Sequence, residues 1–232
     1  MKLMSQTRHA GPPLLLLAMV HLLLFTASLL AGTFLRHGAV YVNPYSSSKA
    51  VQDFFANSSH LIRVSTFFFF GSAVPLGLFT ATVVSRLRFL GVRAAGTYIA
   101  LFGGFVASAG LGISALYSWV VSVPDVVSSS APLVHALYFL SFLFGGVAFA
   151  VGFGLLAAGV SVTSYFRHLL PAWMVVLGMV VALAGELSSL SLIWYPASFL
   201  LPLTRFGGFL WLIAVAVWLP TMQAPDATEG RS

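Results

Sequence analysis

Polar residues are so sparse along this chain that they punctuate it. Between them lie six apolar stretches, at about 13–35, 64–84, 94–121, 133–162, 170–194 and 206–219. Crossing a hydrocarbon core of about 30 Å takes roughly 20 helical residues, so each stretch is predicted to be a membrane-spanning helix. Pro75 inside the second is tolerated within a bundle. The breaks are short: Arg86, Arg88 and Arg93 after the second span, a polar turn over Pro124–Ser130 after the third, Arg167-His168 after the fourth, and Tyr195-Pro196 with Pro202 before the sixth. One loop is larger, 36–63. In it Asn43-Pro44 signals a turn, and Ser46 to Ser48 are placed to cap a short surface helix whose apolar residues are Val51, Phe54 and Phe55. Residues 1–11 and 220–232 read as polar tails. The first stretch also has the basic start and small residues of a cleaved signal peptide, but its apolar run exceeds a signal core and is expected to be retained.

Composition agrees. Of 232 residues 59% are hydrophobic and 7% charged, against roughly a quarter charged in soluble domains. The fold class predicted is therefore all-α, a single polytopic bundle of six helices. The net charge of +6 comes from residues at segment ends, which suits orientation in a bilayer and not nucleic acid. Seven Lys and Arg fall on the side of the two termini and four on the other. The positive-inside rule then predicts cytoplasmic termini, an external 36–63 loop, and Trp119, Trp194 and Tyr195 at the outer interface. The absence of cysteine excludes disulfides, thiolate metal sites and cysteine nucleophiles.

The chain also matches itself. Shifted by 75 residues without a gap, 60–119 falls on 135–194, so that His60 meets His135 and Gly103, Ala107, Gly110, Ser114 and Trp119 meet Gly178, Ala182, Gly185, Ser189 and Trp194. This predicts two repeated helical hairpins running in the same sense. Small residues at heptad spacing let membrane helices approach closely, so these positions are expected to pack helix on helix.

Candidate chemistry is thin. Glu186 is the only acidic residue within a predicted span, and an intramembrane carboxylate is a candidate proton or ligand site. Arg205, at the start of the next span, is its expected partner. His60 and His135, at matched positions, form a candidate clamp for haem or a metal, although they sit where water can reach them. His21 is expected to hydrogen-bond a neighbouring helix and His168 to meet lipid headgroups, while His9 and His37 have no assigned partner. Walker, dinucleotide-binding, zincin and nucleophile-elbow motifs are all missing, so no catalytic residue is assigned.

The segments Ala184-Gly-Glu-Leu-Ser-Ser-Leu-Ser and Leu201-Pro-Leu-Thr-Arg-Phe-Gly-Gly-Phe-Leu-Trp-Leu-Ile-Ala resemble the small uncharacterised six-helix integral membrane protein families of bacteria. That resemblance implies an inner-membrane location and carries over no established activity. The sequence reads as a non-enzymatic protein that binds or moves a small or lipid-like ligand between its hairpins, with no cofactor. The alternatives are an accessory subunit docked on a membrane partner or on a second copy, and a haem-binding electron carrier using His60 and His135.

Overall fold

The computed structural model describes residues 9–34 and 42–222, and every regular element among them is helical. The beginnings of the N-terminal tail and outer loop, with Arg36 and His37, and nearly all of the C-terminal tail lie outside the described residues. Helix α1 is Leu14–Phe34, α2 is Ser48–Phe89 and α3 is Ala95–Val121. A short α4, Pro124–Ser129, leads into α5, Ala131–Leu143, which passes through a π turn at Phe144–Ala148 into α6, Phe149–Phe166. Helix α7, Ala172–Leu187, tightens into 3₁₀ turns, and α8 is Leu200–Trp218. Six of these helical segments are long and apolar enough to cross a membrane, with α5 and α6 forming one.

Three boundaries differ from those predicted. The surface helix and the second span are one helix of 42 residues, about 63 Å long at 1.5 Å per residue. Ser47 caps it by accepting the Ala50 amide, and the break falls at Ser58, where φ is −126°. Helix α8 starts at Leu200, so Arg205 lies within the helix rather than ahead of it; Pro202 is in its first turn, where proline is compatible with a helix. The fifth predicted span, α7, does not run as α-helix to Trp194: from Ser188 to Leu192 it is 3₁₀.

Each spanning helix packs on the next in the chain, and α8 returns to α1, so the six form a closed ring. What brings the backbones together is glycine. A Cβ on Gly152 of α6 would stand 2.6 Å from the Ala107 amide nitrogen and 2.7 Å from the Gly103 carbonyl of α3. On α7, one on Gly185 would stand 2.4 Å from the Ala150 carbonyl, and one on Gly178 would collide with Ser161. Gly103, Ala107, Gly110, Gly178, Ala182 and Gly185 are therefore at helix contacts, with α6 between α3 and α7. Ser114 reaches across to α5, whereas Ser189 bonds the Glu186 carbonyl of its own helix.

Outside the ring the surface is apolar. Leu23, Phe67, Phe102, Leu183 and Leu210 are all more than half exposed, an arrangement suited to lipid and not to water. Exposed Trp119 and Trp194 mark one rim, and Tyr165, Trp173 and Trp218 the other, as aromatic residues do at membrane interfaces.

The two ends are built differently. Toward the end carrying the chain termini, Leu76, Phe79, Phe153, Leu156, Trp211 and Leu212 fill the ring. Both hairpin turns there close by the same hydrogen bonds: Val92 N–H to the Leu87 carbonyl at 3.0 Å with Gly91 N–H to Arg88, and Leu169 N–H to Ser164 at 2.9 Å with His168 N–H to Tyr165. This helix ending needs a left-handed residue. Gly91 supplies it at φ 83°, but the second turn uses His168 at φ 51°. At the opposite end the first turns of α2, with α4 and the start of α5, make a cap with its own core of Val51, Phe54, Phe55, Val121, Val127 and Val134.

Two substitutions should move stability in opposite directions. Gly152→Ala forces backbones apart and is expected to lower the melting temperature of the detergent-purified protein, at a loss of about 1–3 kcal/mol. His168→Gly removes left-handed strain of about 1–2 kcal/mol, less the entropy of a glycine, and is expected to raise it.

Candidate functional site

In an apolar bundle a hydroxyl must find a partner nearby. Below the cap, serines do so in pairs across helices. On one wall Ser114 of α3 donates to the Ser141 carbonyl of α5 at 2.7 Å, Ser141 donates back to the Ser114 carbonyl at 3.0 Å, and Ser118 lies 2.7 Å from Ser141. Facing them, Ser65 of α2 donates to the Ser28 carbonyl of α1 at 3.0 Å. Between these walls the ring is not filled. A cavity of about 670 Å³ lies there, within the size range of small-molecule sites, with Phe25, Phe55, Ile62, Phe69, Phe142 and Leu201 as its apolar lining.

The floor of the cavity is Arg205. Its guanidinium lies between the rings of Phe25 and Phe149, 5.1 and 4.8 Å from their centroids. It donates through Nη2 to the Gly145 carbonyl. The π turn makes that carbonyl available, because the Phe149 amide reaches back to Phe144 rather than to Gly145. The residue keeps some surface open toward the cavity, yet its Nε is shut from solvent and has no hydrogen-bond partner. Each ring contact is worth about 0.5–2 kcal/mol and the charged hydrogen bond about 1.5–3 kcal/mol. Removing a cation from water costs several kcal/mol, and no carboxylate among the described residues offsets it. Among the described residues the one salt bridge is Lys49 to Asp53, at 2.8 Å on the exposed face of α2.

The expected pairing of Arg205 with Glu186 is thus not made. Glu186 is exposed on α7, and the cavity-lining residues do not include it. Among the described residues no group of three or more metal-ligating side chains forms around His60 or His135. His60 is exposed just past the kink of α2. His135 is engaged at both nitrogens, Nε2 with the Pro44 carbonyl at 2.6 Å and Nδ1 with Ser48 Oγ at 2.9 Å. Since a carbonyl only accepts, Nε2 carries the proton and Nδ1 accepts from Ser48 in the neutral ring. A metal or haem iron at His135 has to displace one of these partners. The role of His135 is to tie the segment before α2 over the cavity, where Tyr138 bonds the Val42 carbonyl at 2.8 Å and Asn43 bonds the Tyr195 hydroxyl at 2.8 Å.

His21 does bond a neighbouring helix, as expected: it is fully buried, and Nδ1 donates to the Ser72 carbonyl of α2 at 2.8 Å. Its Nε2 has no partner. A second groove of similar volume lies at the opposite end, but its charged residues, Arg93 and Arg167, are exposed, and Arg167 donates to the Gly91 carbonyl at 2.7 Å.

The sequence leads to a ligand site between the hairpins anchored on Glu186, and not to a cavity with Arg205 at its floor. Two signals point toward Arg205: acidic residues are scarce, with only five in the chain, and Phe144-Gly145-Gly146 offers backbone that a large side chain can approach. Comparison of the chain with protein-family models, with curated proteins and with solved structures returned no match.

At the terminal end, Arg86 donates to the carbonyls of Pro220 and Met222, and His9 lies 3.0 Å from Ser85 Oγ. Burial, and then the charge of Arg86, lower the His9 pKa from its ordinary 6.5. A lowered histidine pKa means the unfolded chain binds the proton more readily, so this contribution to stability is present above pH 6.5 and is lost as pH falls through the folded value. An NMR titration of His9 is expected to have its midpoint below 6.5, and Arg86→Gln is expected to raise it.

Proposed function

We propose that this multi-pass membrane protein binds a small, lipid-like molecule in the cavity beneath its cap, with Arg205 rather than Glu186 as the polar anchor. The observation that carries the reading is a cavity of about 670 Å³ walled by aromatic and serine side chains with one unpaired cation at its floor. Pockets that hold ligands combine an apolar lining with a few placed polar groups in the same way.

The route in favours a ligand taken from the bilayer. Helices α1 and α8 touch most sparingly of the ring's neighbours, and both line the cavity. Leu29 of α1 and Pro202 and Phe206 of α8 line it while also being exposed on the outer surface. An acyl chain can therefore pass from lipid through this seam. On the same reading the two hairpins, 60–119 and 135–194, are repeats that each supply part of the wall, and the chain sits in a bacterial inner membrane with its termini cytoplasmic and its cap outside.

The test is photolabelling of the protein in nanodiscs with a diazirine-bearing acyl lipid, followed by mapping of the adducts. Adducts are expected on Phe69, Ser118 and Phe142 inside the cavity as well as on the lipid-facing Phe102 and Leu183. Ser118→Phe narrows the cavity and is expected to remove the internal adducts while leaving the external ones. Adducts confined to the outer surface in the unsubstituted protein would sink the proposal.

A further inference from the structure

We infer that the cavity selects an amphiphile with an oxyanion head, a carboxylate or a phosphate, and that Arg205 is the residue that recognises it. This rests on the lipid-binding reading and goes one step beyond it, to the charge of the ligand.

The cavity lining contains no aspartate, glutamate, lysine or histidine among the described residues, so Arg205 alone sets its charge. Of the five acidic residues in the chain, Asp53 is paired with Lys49, Asp125 and Glu186 make no ion pair, and Asp226 and Glu229 lie outside the described residues. A guanidinium offers five N–H donors in a planar fork. The Gly145 carbonyl takes a donor at Nη2, Phe25 and Phe149 cover the cation through their rings, and Nε is shut from solvent, so the donors that Arg205 presents to the cavity are at its Nη end. The partner that suits these donors is an anion with more than one oxygen acceptor, which describes a carboxylate or a phosphate.

The hydroxyls fit the same assignment. Ser28, Ser65, Ser114, Ser118 and Ser141 bond one another and the facing backbones, so they keep the wall polar without adding charge. The aromatic side of the cavity takes the apolar part of the ligand, and the opening at the α1–α8 seam leads toward Phe206, the residue after Arg205. A head drawn to Arg205 thus leaves its chain pointing to the bilayer. A cationic head placed there meets like charge with no carboxylate to offset it, and a neutral head leaves the cation uncompensated in a site of low dielectric.

The experiment is competition against the cavity photolabel with four chain-matched compounds: a fatty acid, an alkyl phosphate, a fatty alcohol and an alkyl trimethylammonium, with inorganic phosphate as a fifth arm. The acid and the alkyl phosphate are expected to displace the label at concentrations about ten- to a hundredfold lower than the alcohol, and the ammonium least of all. Arg205→Met is expected to bring the acid and the alcohol level, while Arg205→Lys keeps part of the difference. The Met variant removes an uncompensated buried cation, and its melting temperature without ligand is expected to be unchanged or higher, which separates recognition from misfolding. Displacement by inorganic phosphate alone supports the anion site and assigns it to a free anion instead of a lipid head. Equal displacement by acid and alcohol in the unsubstituted protein overturns the charge assignment and leaves lipid binding intact. Failure of every compound to displace a label that does enter the cavity overturns both.

Discussion

Lipid gives one apolar helix no reason to leave it for another, so a helical ring in a membrane closes where backbones can touch. In this protein that happens along α6. Its Gly152 and Gly159 meet α3 at distances where an added Cβ would strike backbone atoms, and its Gly154 meets the Gly185 region of α7. Dispersion and polar contacts, summed over these approaches, hold three helices as one slab. Helices α1, α2 and α8 then complete the ring around large side chains, above all Phe79, Phe153 and Trp211.

The difference between the two ends follows from where that contact stops. Opposite Gly110 of α3 the α5–α6 segment leaves α-geometry at the π turn Phe144–Ala148, beyond which lies α5 and then the cap. A π turn displaces the hydrogen-bond register by one residue and so exposes backbone that regular helix would conceal. Here the beneficiary is the Gly145 carbonyl, which receives Arg205. Beyond the turn the walls are joined by serine pairs, not by interlocking apolar side chains, and the centre of the ring stays open. The cap shields the opening with its own small core, tied down by His135 and Tyr138.

Much of this architecture is legible in the sequence, because a spanning helix requires length and apolarity that few soluble segments share. The contact positions Gly103, Ala107, Gly110, Gly178, Ala182 and Gly185 are also legible, since only small residues allow that approach. The continuity of α2 is not: Asn57, Ser58, Ser59 and His60 look like a break, yet a helix leaving the membrane can carry polar residues in water and bend at one of them. Arg205 is misplaced by the reading of Pro202 as the end of a connector, when proline suits the first turn of a helix. The Glu186 pairing fails for a related reason. Proximity in sequence to the next helix says nothing about facing, and Arg205 turns into the ring while Glu186 turns out of it. A cavity leaves no local mark, because it records what six helices together fail to fill.

The residue at the floor of that cavity is also the least expected on grounds of stability alone. A methionine or leucine at position 205 would cover Phe25 and Phe149 without an uncompensated charge, and buried ionic groups are often replaced by apolar ones with a gain in stability. Lysine would keep the charge but lose the plane that lies between two aromatic rings while its Nη end faces the cavity. The arrangement makes sense if the cation is only half of an interaction. Its rings and the Gly145 carbonyl hold it in one orientation, so an arriving anion meets donors already aligned and little ordering remains to oppose binding. Low dielectric, which makes the empty site unfavourable, makes the filled one correspondingly strong.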